Sequence, residues 1–366
     1  MNPLRYCVRC LYPETKPDIW FDEEGVCSAC LNFDARRNID WAEREKDFTT
    51  LIDGYRNPDG YDCVVPVSGG KDSHYQTIKL LEYGLNLLCV TATTDSLSDI
   101  GRRNIENLKS LGADYIEVSL NPKVRRRMNR IGLEQVGDIS WPEHVAIFTV
   151  PIRVALQHDI KLVVWGENSQ NEYGGPEAAA IESTLDKRWL QEFGGLLGLR
   201  VSDLPFESRE LIQYTYPEDM GGLRGIFLGH HFPWDGYENA VRARAHGFEW
   251  YHEKVEGSIV GYENLDNHQT GIHDYMKWLK YGFGRATDIA CNHIRRGRME
   301  RDEAILLVRE RDGMFPWQCL GKPLVETLFE IDMMTDEFVK ICNEFTNKKL
   351  FRLTEAPRPT PLFDLC

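Results

Sequence analysis

No stretch of this chain approaches the roughly 20 consecutive apolar residues that cross a bilayer. The segment from Met1 to Cys10 carries charges and cysteines where a secretory signal would carry an apolar run. A cytoplasmic protein with no membrane span is therefore expected. Cationic charge is scarce, with 43 Lys and Arg against 57 Asp and Glu and a formal net charge of −14. Coating a nucleic acid depends on clustered cations that neutralise phosphates, so no nucleic-acid partner is expected. Internal repeats and low-complexity tracts are also lacking, which sets aside solenoids and disordered linkers. What is present is ordinary for a globular protein: 42% hydrophobic and 27% charged residues in a chain of 366, long enough for two domains and a further small module.

The cysteines are unevenly placed. Four of the ten form the pairs Cys7-Val-Arg-Cys10 and Cys27-Ser-Ala-Cys30, and the other six are scattered singly. Two CxxC pairs 16 residues apart match a four-thiolate zinc site, in which each pair forms a knuckle and the metal replaces a missing core. Such a site is closed and structural. An iron–sulfur cluster could use the same ligands, whereas a redox CxxC would open a helix in a thioredoxin-like βαβ unit that is absent here. The remaining cysteines, Cys63 and Cys89 among them, read as small hydrophobes, and a Cys291 and His293 pair is too small a set to hold a metal.

The chain divides into a zinc-ribbon module (1–40), a helical linker (41–60), a nucleotide-binding sheet domain (61–200) and a mainly helical, substrate-binding remainder (201–366). The sheet domain is read from short apolar runs at 63–67, 87–91, 115–118 and 161–165, separated by helical stretches. One of these stretches, Pro142 to His158, carries Pro151 as a potential kink. This is a βαβ pattern: an α/β fold with a parallel sheet, which binds ligands at the carboxyl ends of its strands. Beyond about Gly195 the alternation fades. The basic run from Lys123 to Arg127 reads as a solvated face.

Between the first strand and the next helix lies Ser68-Gly69-Gly70-Lys71-Asp72-Ser73. Two glycines let backbone N–H groups approach an anion at a helix N-terminus, and two hydroxyls and a lysine add donors. Asp72 suits such a place if a Mg²⁺ lies between it and the phosphates. The run resembles the SGGxDS pyrophosphate-binding loop of the PP-loop ATP pyrophosphatases of the adenine nucleotide α-hydrolase-like superfamily, which have a Rossmann-like sheet domain. The Walker loop is longer and serves γ-phosphoryl transfer. The resemblance implies that Thr93-Thr94-Asp95 holds the adenosine and that Gly166-Glu167-Asn168 faces the phosphates, with Glu167 a candidate for holding Mg²⁺ or orienting a nucleophile.

Four further features narrow the resemblance: the cysteine pairs ahead of the loop, Trp165 to Gly175, His273 to Lys280, and Gly282 to Asp288. With these the sequence looks like an N-acetyl sugar amidotransferase, the group containing the pseudaminic acid and lipopolysaccharide acetamidino enzymes. The resemblance implies that ATP adenylates an N-acetyl oxygen on a nucleotide-activated or nonulosonic sugar, and that ammonia displaces AMP to give an acetamidino group. Asp72, Lys71 and Glu167 would be the catalytic residues. Ser68 to Ser73 with Asp95, Gly166 and Asn168 would bind ATP, and Asn171, Glu172, Tyr173, His273, Lys277, Lys280, Arg285 and Asp288 would bind the sugar, with Arg295 of the same kind. No glutaminase signature is present, so ammonia is expected from a separate glutaminase resembling the imidazole glycerol phosphate synthase subunits; a homodimer is left open. The alternatives are a tRNA-modifying PP-loop enzyme of the thiolation or lysidine type, and a zinc-ribbon adaptor with a degenerate nucleotide fold.

Overall fold

A computed structural model of the chain describes residues 4–94, 96–167, 184–185, 198–253 and 255–365. Its centre is a sheet of β1 (Cys63–Pro66), β2 (Leu87–Ala92), β3 (Asp114–Val118), β4 (Leu162–Trp165), β5 (Thr184–Leu185) and β6 (Arg224–Phe227), in the order β3-β2-β1-β4-β6-β5. All neighbours pair in parallel except β5, which runs antiparallel to β6. The four strands read from the sequence are present. The sheet does not end with them, however: Arg224–Phe227 pairs with the whole of β4, matching Leu162 to Arg224 and Trp165 to Phe227. The sheet therefore reaches past residue 200, into the stretch where the alternation fades.

Alternate residues of each strand enter different cores, as period-2 backbone geometry requires. Cys63, Val65, Leu87, Cys89, Leu162, Val164 and Ile226 pack with Phe48, Ile52 and Leu80. Those three side chains belong to α2 (Trp41–Asp53), which follows α1 (Ser28–Ala35), and to α3 (Lys71–Glu82), which α4 (Asp99–Lys109) and α5 (Pro122–Val136) follow along the chain. Val64, Leu88, Val90, Val163, Trp165 and Phe227 pack on the opposite face with Val145, Val150 and Val154 of α6 (Trp141–Gln157), a helix that continues through Pro151. The chain steps outward from β1 through β2 to β3, then returns on the other face to lay β4 beside β1. That reversal opens a crevice at the carboxyl ends of β1 and β4, flanked by α3 on one side and α6 on the other.

Among the described residues the C-terminal half is mainly helical, with Gly236–Ala245, Thr270–Tyr281, Arg285–Arg295, Arg301–Arg311, Leu324–Phe329 and Thr335–Phe345 as its longer helices. The cysteine module is not a free-standing lobe. Its residues share one core with Phe283, Ala286, Ala290 and Cys291, so it is seated on the helix that begins at Arg285. The run Lys123 to Arg127 is not wholly a solvated face either, because Arg125 is buried and Arg127 lies over the Phe206 ring. Among the described residues no helix is long and apolar enough to cross a membrane.

Candidate functional site

The glycine loop is built from its own side chains. Ser68 N–H donates to Ser73 Oγ at 2.9 Å, and Gly70 N–H to Ser68 Oγ at 3.4 Å. Gly69 has φ +87°, and a Cβ there would lie 2.6 Å from Ile105 Cγ1, so only glycine meets both conditions. Gly70 is the N-cap of α3, which places Lys71 and Asp72 in its first turn. Behind the loop His74 is buried, with one ring nitrogen 2.9 Å from Gly70 O and the other 3.0 Å from the Asn107 amide nitrogen. Burial pulls this imidazole down to about 4, against the opposing bond to Gly70. It is therefore neutral, with its proton on Nδ1.

In front of the loop lies a cavity of about 490 Å³, lined by Ser68, Asp72 and Ser73, by the strand ends Pro66, Val67, Val90, Ala92, Trp165 and Phe227, by Gly166 and Glu167, and by α6. Its size lies in the range of small-molecule sites, and its lining mixes apolar side chains with a few polar ones. Gly166 is confined, since a Cβ there would come 3.1 Å from the Trp234 ring and 3.2 Å from Gln76 Oε1. Gly166 O accepts from Gly229 N–H at 3.0 Å, which fixes the turn that presents Glu167.

Asp72 and Glu167 also line a second, smaller chamber, shared with Lys71, Asp235, Glu263, Arg285, Asp288, Arg296 and Arg298. Lys71 is buried and its Nζ sits 2.6 Å from Asp72 and 2.9 Å from Glu263. Asn239 Nδ2 donates to the other Asp72 oxygen at 2.8 Å. Arg296 and Arg298 both pair with Asp235, at 2.9 and 2.7 Å. Their charge overcomes the effect of burial and holds that carboxyl below its ordinary range. The free space is only about 50 Å³, room for water but not for a sugar, so a larger ligand must part these ion pairs.

Of the residues read as sugar-binding, Arg285 and Asp288 line this chamber; His273, Lys277 and Lys280 do not. Arg285 bonds Asp274 at 3.1 Å. Asp288 is buried, held by Lys277 and by Tyr12 Oη at 3.1 Å. Lys280 is committed to the carbonyls of Val136 and Gly137, at the end of the helix Pro122–Val136 (α5), and His273 to Asp138. Arg295 is buried with its guanidinium over the Tyr12 ring, beside the cysteine module. Asp95, Asn168, Asn171, Glu172 and Tyr173 lie outside the described residues. Glu263, Asn239, Asp235 and the Arg296 and Arg298 pair escaped sequence reading. Each is a lone polar residue in a loop or helix, with no spacing that marks it.

Cys7, Cys10, Cys27 and Cys30 are buried, and their sulfurs lie within 4.8 Å of one another. The Cys7–Cys30 and Cys10–Cys27 separations of 4.0 and 3.6 Å bracket the edge of about 3.8 Å that follows from tetrahedral Zn–S bonds of roughly 2.3 Å. The N–H groups of Arg9, Cys10 and Cys27 point at Cys7 Sγ at 3.3 to 3.4 Å, as a thiolate requires. The four cysteines could thus hold a metal ion. Cys291 stands next to them, its sulfur accepting from Leu11 N–H at 3.2 Å.

The segment 248–360 matches a known family model. It is the model described as "LPS biosynthesis protein WbpG-like, C-terminal domain". That segment supplies Glu263, Arg285, Asp288, Arg296 and Arg298 to the smaller chamber. No protein of curated function matches the chain. Among solved structures it is similar to NMN synthetase from Francisella tularensis, at 15% identity and a TM-score of 0.28 over 57% of this chain and 87% of that one.

Proposed function

We propose that the chain is an ATP-dependent amidotransferase acting on an N-acetyl sugar in lipopolysaccharide or nonulosonic acid biosynthesis. The observation that carries the reading is the position of Asp72 and Glu167 on both cavities. One of these is a nucleotide-sized crevice beside the glycine loop; the other is a charged chamber lined largely by the WbpG-like segment. ATP binds in the crevice, its phosphates on the N–H groups of the loop and its base against Val90, Ala92 and Phe148. The sugar enters the chamber, where Arg285 and the Arg296 and Arg298 pair meet its anionic groups. Mg²⁺ held by Asp72 and Glu167 would neutralise the phosphate charge between them.

An amide is a poor electrophile because its nitrogen donates into the carbonyl. Attack of the N-acetyl oxygen on the α-phosphorus breaks the α,β bond of ATP, releases pyrophosphate and makes that oxygen part of a good leaving group. Ammonia then adds to the carbon, AMP departs and a proton is shed, leaving an amidine. Loop N–H groups and Lys71 stabilise the charge that accumulates on the phosphoryl oxygens. Ammonia comes from a separate glutaminase, and the four-cysteine site holds structural zinc.

The test is incubation with ATP, Mg²⁺, ammonium and a panel of UDP- and CMP-linked N-acetyl sugars. AMP and pyrophosphate should form in equal amounts, with one sugar lighter by about one dalton as oxygen is exchanged for NH. ADP formation, or AMP formation that requires tRNA instead of a sugar, would overturn the reading.

A further inference from the structure

Across the crevice from the glycine loop, α6 lines the cavity with His144, Ile147, Phe148 and Pro151, residues three or four apart and so on one face. His144 is the polar member and lies in the first turns of the helix, where helical N–H groups also favour an anion. Its Nδ1 faces Asp138 Oδ2 at 3.5 Å. Asp138 is buried, and its other oxygen takes His273 Nδ1 at 2.7 Å and Ser140 N–H at 2.9 Å. The two imidazoles meet edge to face, 5.4 Å apart.

Asp138 therefore occupies Nδ1 of both rings. Nε2 of His144 has no hydrogen bond among the described residues, and the side chain keeps 36% of its surface open, on the wall of the cavity. The titratable and charged groups around it are Asp138, Glu143, Arg125 and the His273 ring, with Asp72 and Glu167 also on the cavity lining. Burial pulls the imidazole down, but Asp138 and Glu143 more than offset this and leave it above its ordinary value, with Arg125 opposing. With Nδ1 taken by Asp138, the Nε2 edge of a ring that lines a ligand cavity calls for a partner from that cavity.

We propose that His144, oriented by Asp138, donates Nε2–H to a phosphoryl oxygen of the nucleotide from the side opposite the glycine loop. This rests on the reading of the crevice as an ATP site. Phosphate oxygens are then met from both walls: by backbone N–H groups of the glycine loop on one, and by His144 Nε2–H on the other. His273 acts through Asp138 as a positioning residue.

Calorimetric titration of the full-length protein with AMP and with adenosine, in Mg²⁺, tests this at a series of points from about pH 7 to about pH 9, where AMP stays doubly ionised. Wild type should prefer AMP, and the preference should shrink toward the higher pH as the imidazolium is lost. His144→Gln should weaken AMP at least about tenfold, leave adenosine unchanged and flatten the pH dependence. Asp138→Asn should move the midpoint of the wild-type profile to lower pH. An unchanged AMP preference with an unchanged profile in His144→Gln overturns the assignment while leaving the ATP site standing. If wild type binds neither ligand, nor ATP, both readings fall. Should His144→Gln lose adenosine too, through misfolding, the wild-type profile and Asp138→Asn decide.

Discussion

Asn239 reaches across from the helix Gly236–Ala245 and donates its amide to Asp72, 2.8 Å away and on the first turn of α3. With Lys71 bound to the other Asp72 oxygen, the carboxylate is held from two sides.

Loss of the Asn239 contact should therefore be felt in the reaction. Asn239→Ala is expected to lower kcat/KM for AMP formation about tenfold, the worth of one hydrogen bond to a charged group, in protein that still folds with a melting temperature lowered by a few degrees. Asn239→Asp, which sets a second negative charge against the first, should cost more. Asp72→Asn and Ser68→Ala should abolish AMP formation in folded protein; wild-type turnover in either would sink the proposed mechanism.

At Gly69 two constraints coincide, a left-handed backbone and the Ile105 side chain. Gly69→Ala should distort the loop and reduce ATP affinity by at least about tenfold, a cost of roughly 1–2 kcal/mol. Gly69→Ala combined with Ile105→Ala relieves the contact but not the dihedral strain, so only partial recovery of ATP binding is expected by titration.

Acid should loosen the loop through His74. Its folded value of about 4 lies below the ordinary 6.5, so between those limits the unfolded chain takes up a proton that the folded protein refuses. This contribution to stability is complete above 6.5 and is lost as the pH falls toward 4, by roughly 3 kcal/mol in all. Asp266 and Asp312, pushed up by burial to about 7 and about 6, act with the opposite sign over much of the same range. The measurement is consequently the difference between wild type and His74→Gln in denaturant unfolding at pH 7.5 and 5. The variant should lose less stability on acidification.

Metal removal should be felt at the chamber as well as at the cysteines. Tyr12, two residues after Cys10, bonds Asp288, and Cys10 O accepts from Arg301 at 3.3 Å. Elemental analysis should find one zinc per chain. Chelation is expected to lower the melting temperature by about 10 °C and to depress sugar-dependent turnover more than ATP binding. A metal-free protein with unchanged melting and activity would reject the structural role.

The parts legible in the sequence are those where one short segment supplies both the signal and its meaning. The apolar runs of β1 to β4, the glycine loop and the paired cysteines are of this kind. Arg224–Phe227 was not legible, because an arginine and a glycine occupy half of a four-residue strand and its identity comes from pairing with β4. The spacing of His273, Lys277 and Lys280 along one helix suggested a ligand face. Each of them instead finds a partner within the protein, contributed by residues distant in sequence: Asp138, Asp288, and the Val136 and Gly137 carbonyls. Glu263 and Asn239 gain their meaning only from Lys71 and Asp72, which no local pattern connects to them.

The late strand β6 also bears on how the protein is made. Until translation has passed Phe227, the wholly buried strand Leu162–Trp165 has no partner on one side and offers an open apolar edge. Such edges invite pairing with other chains. A nascent chain halted before Arg224 should therefore be prone to aggregate even though the glycine loop and four of the parallel strands are already complete. A cut that removes Arg224–Phe227 should likewise leave the sheet incomplete, because β4 is covered by residues made later than the glycine loop beside it.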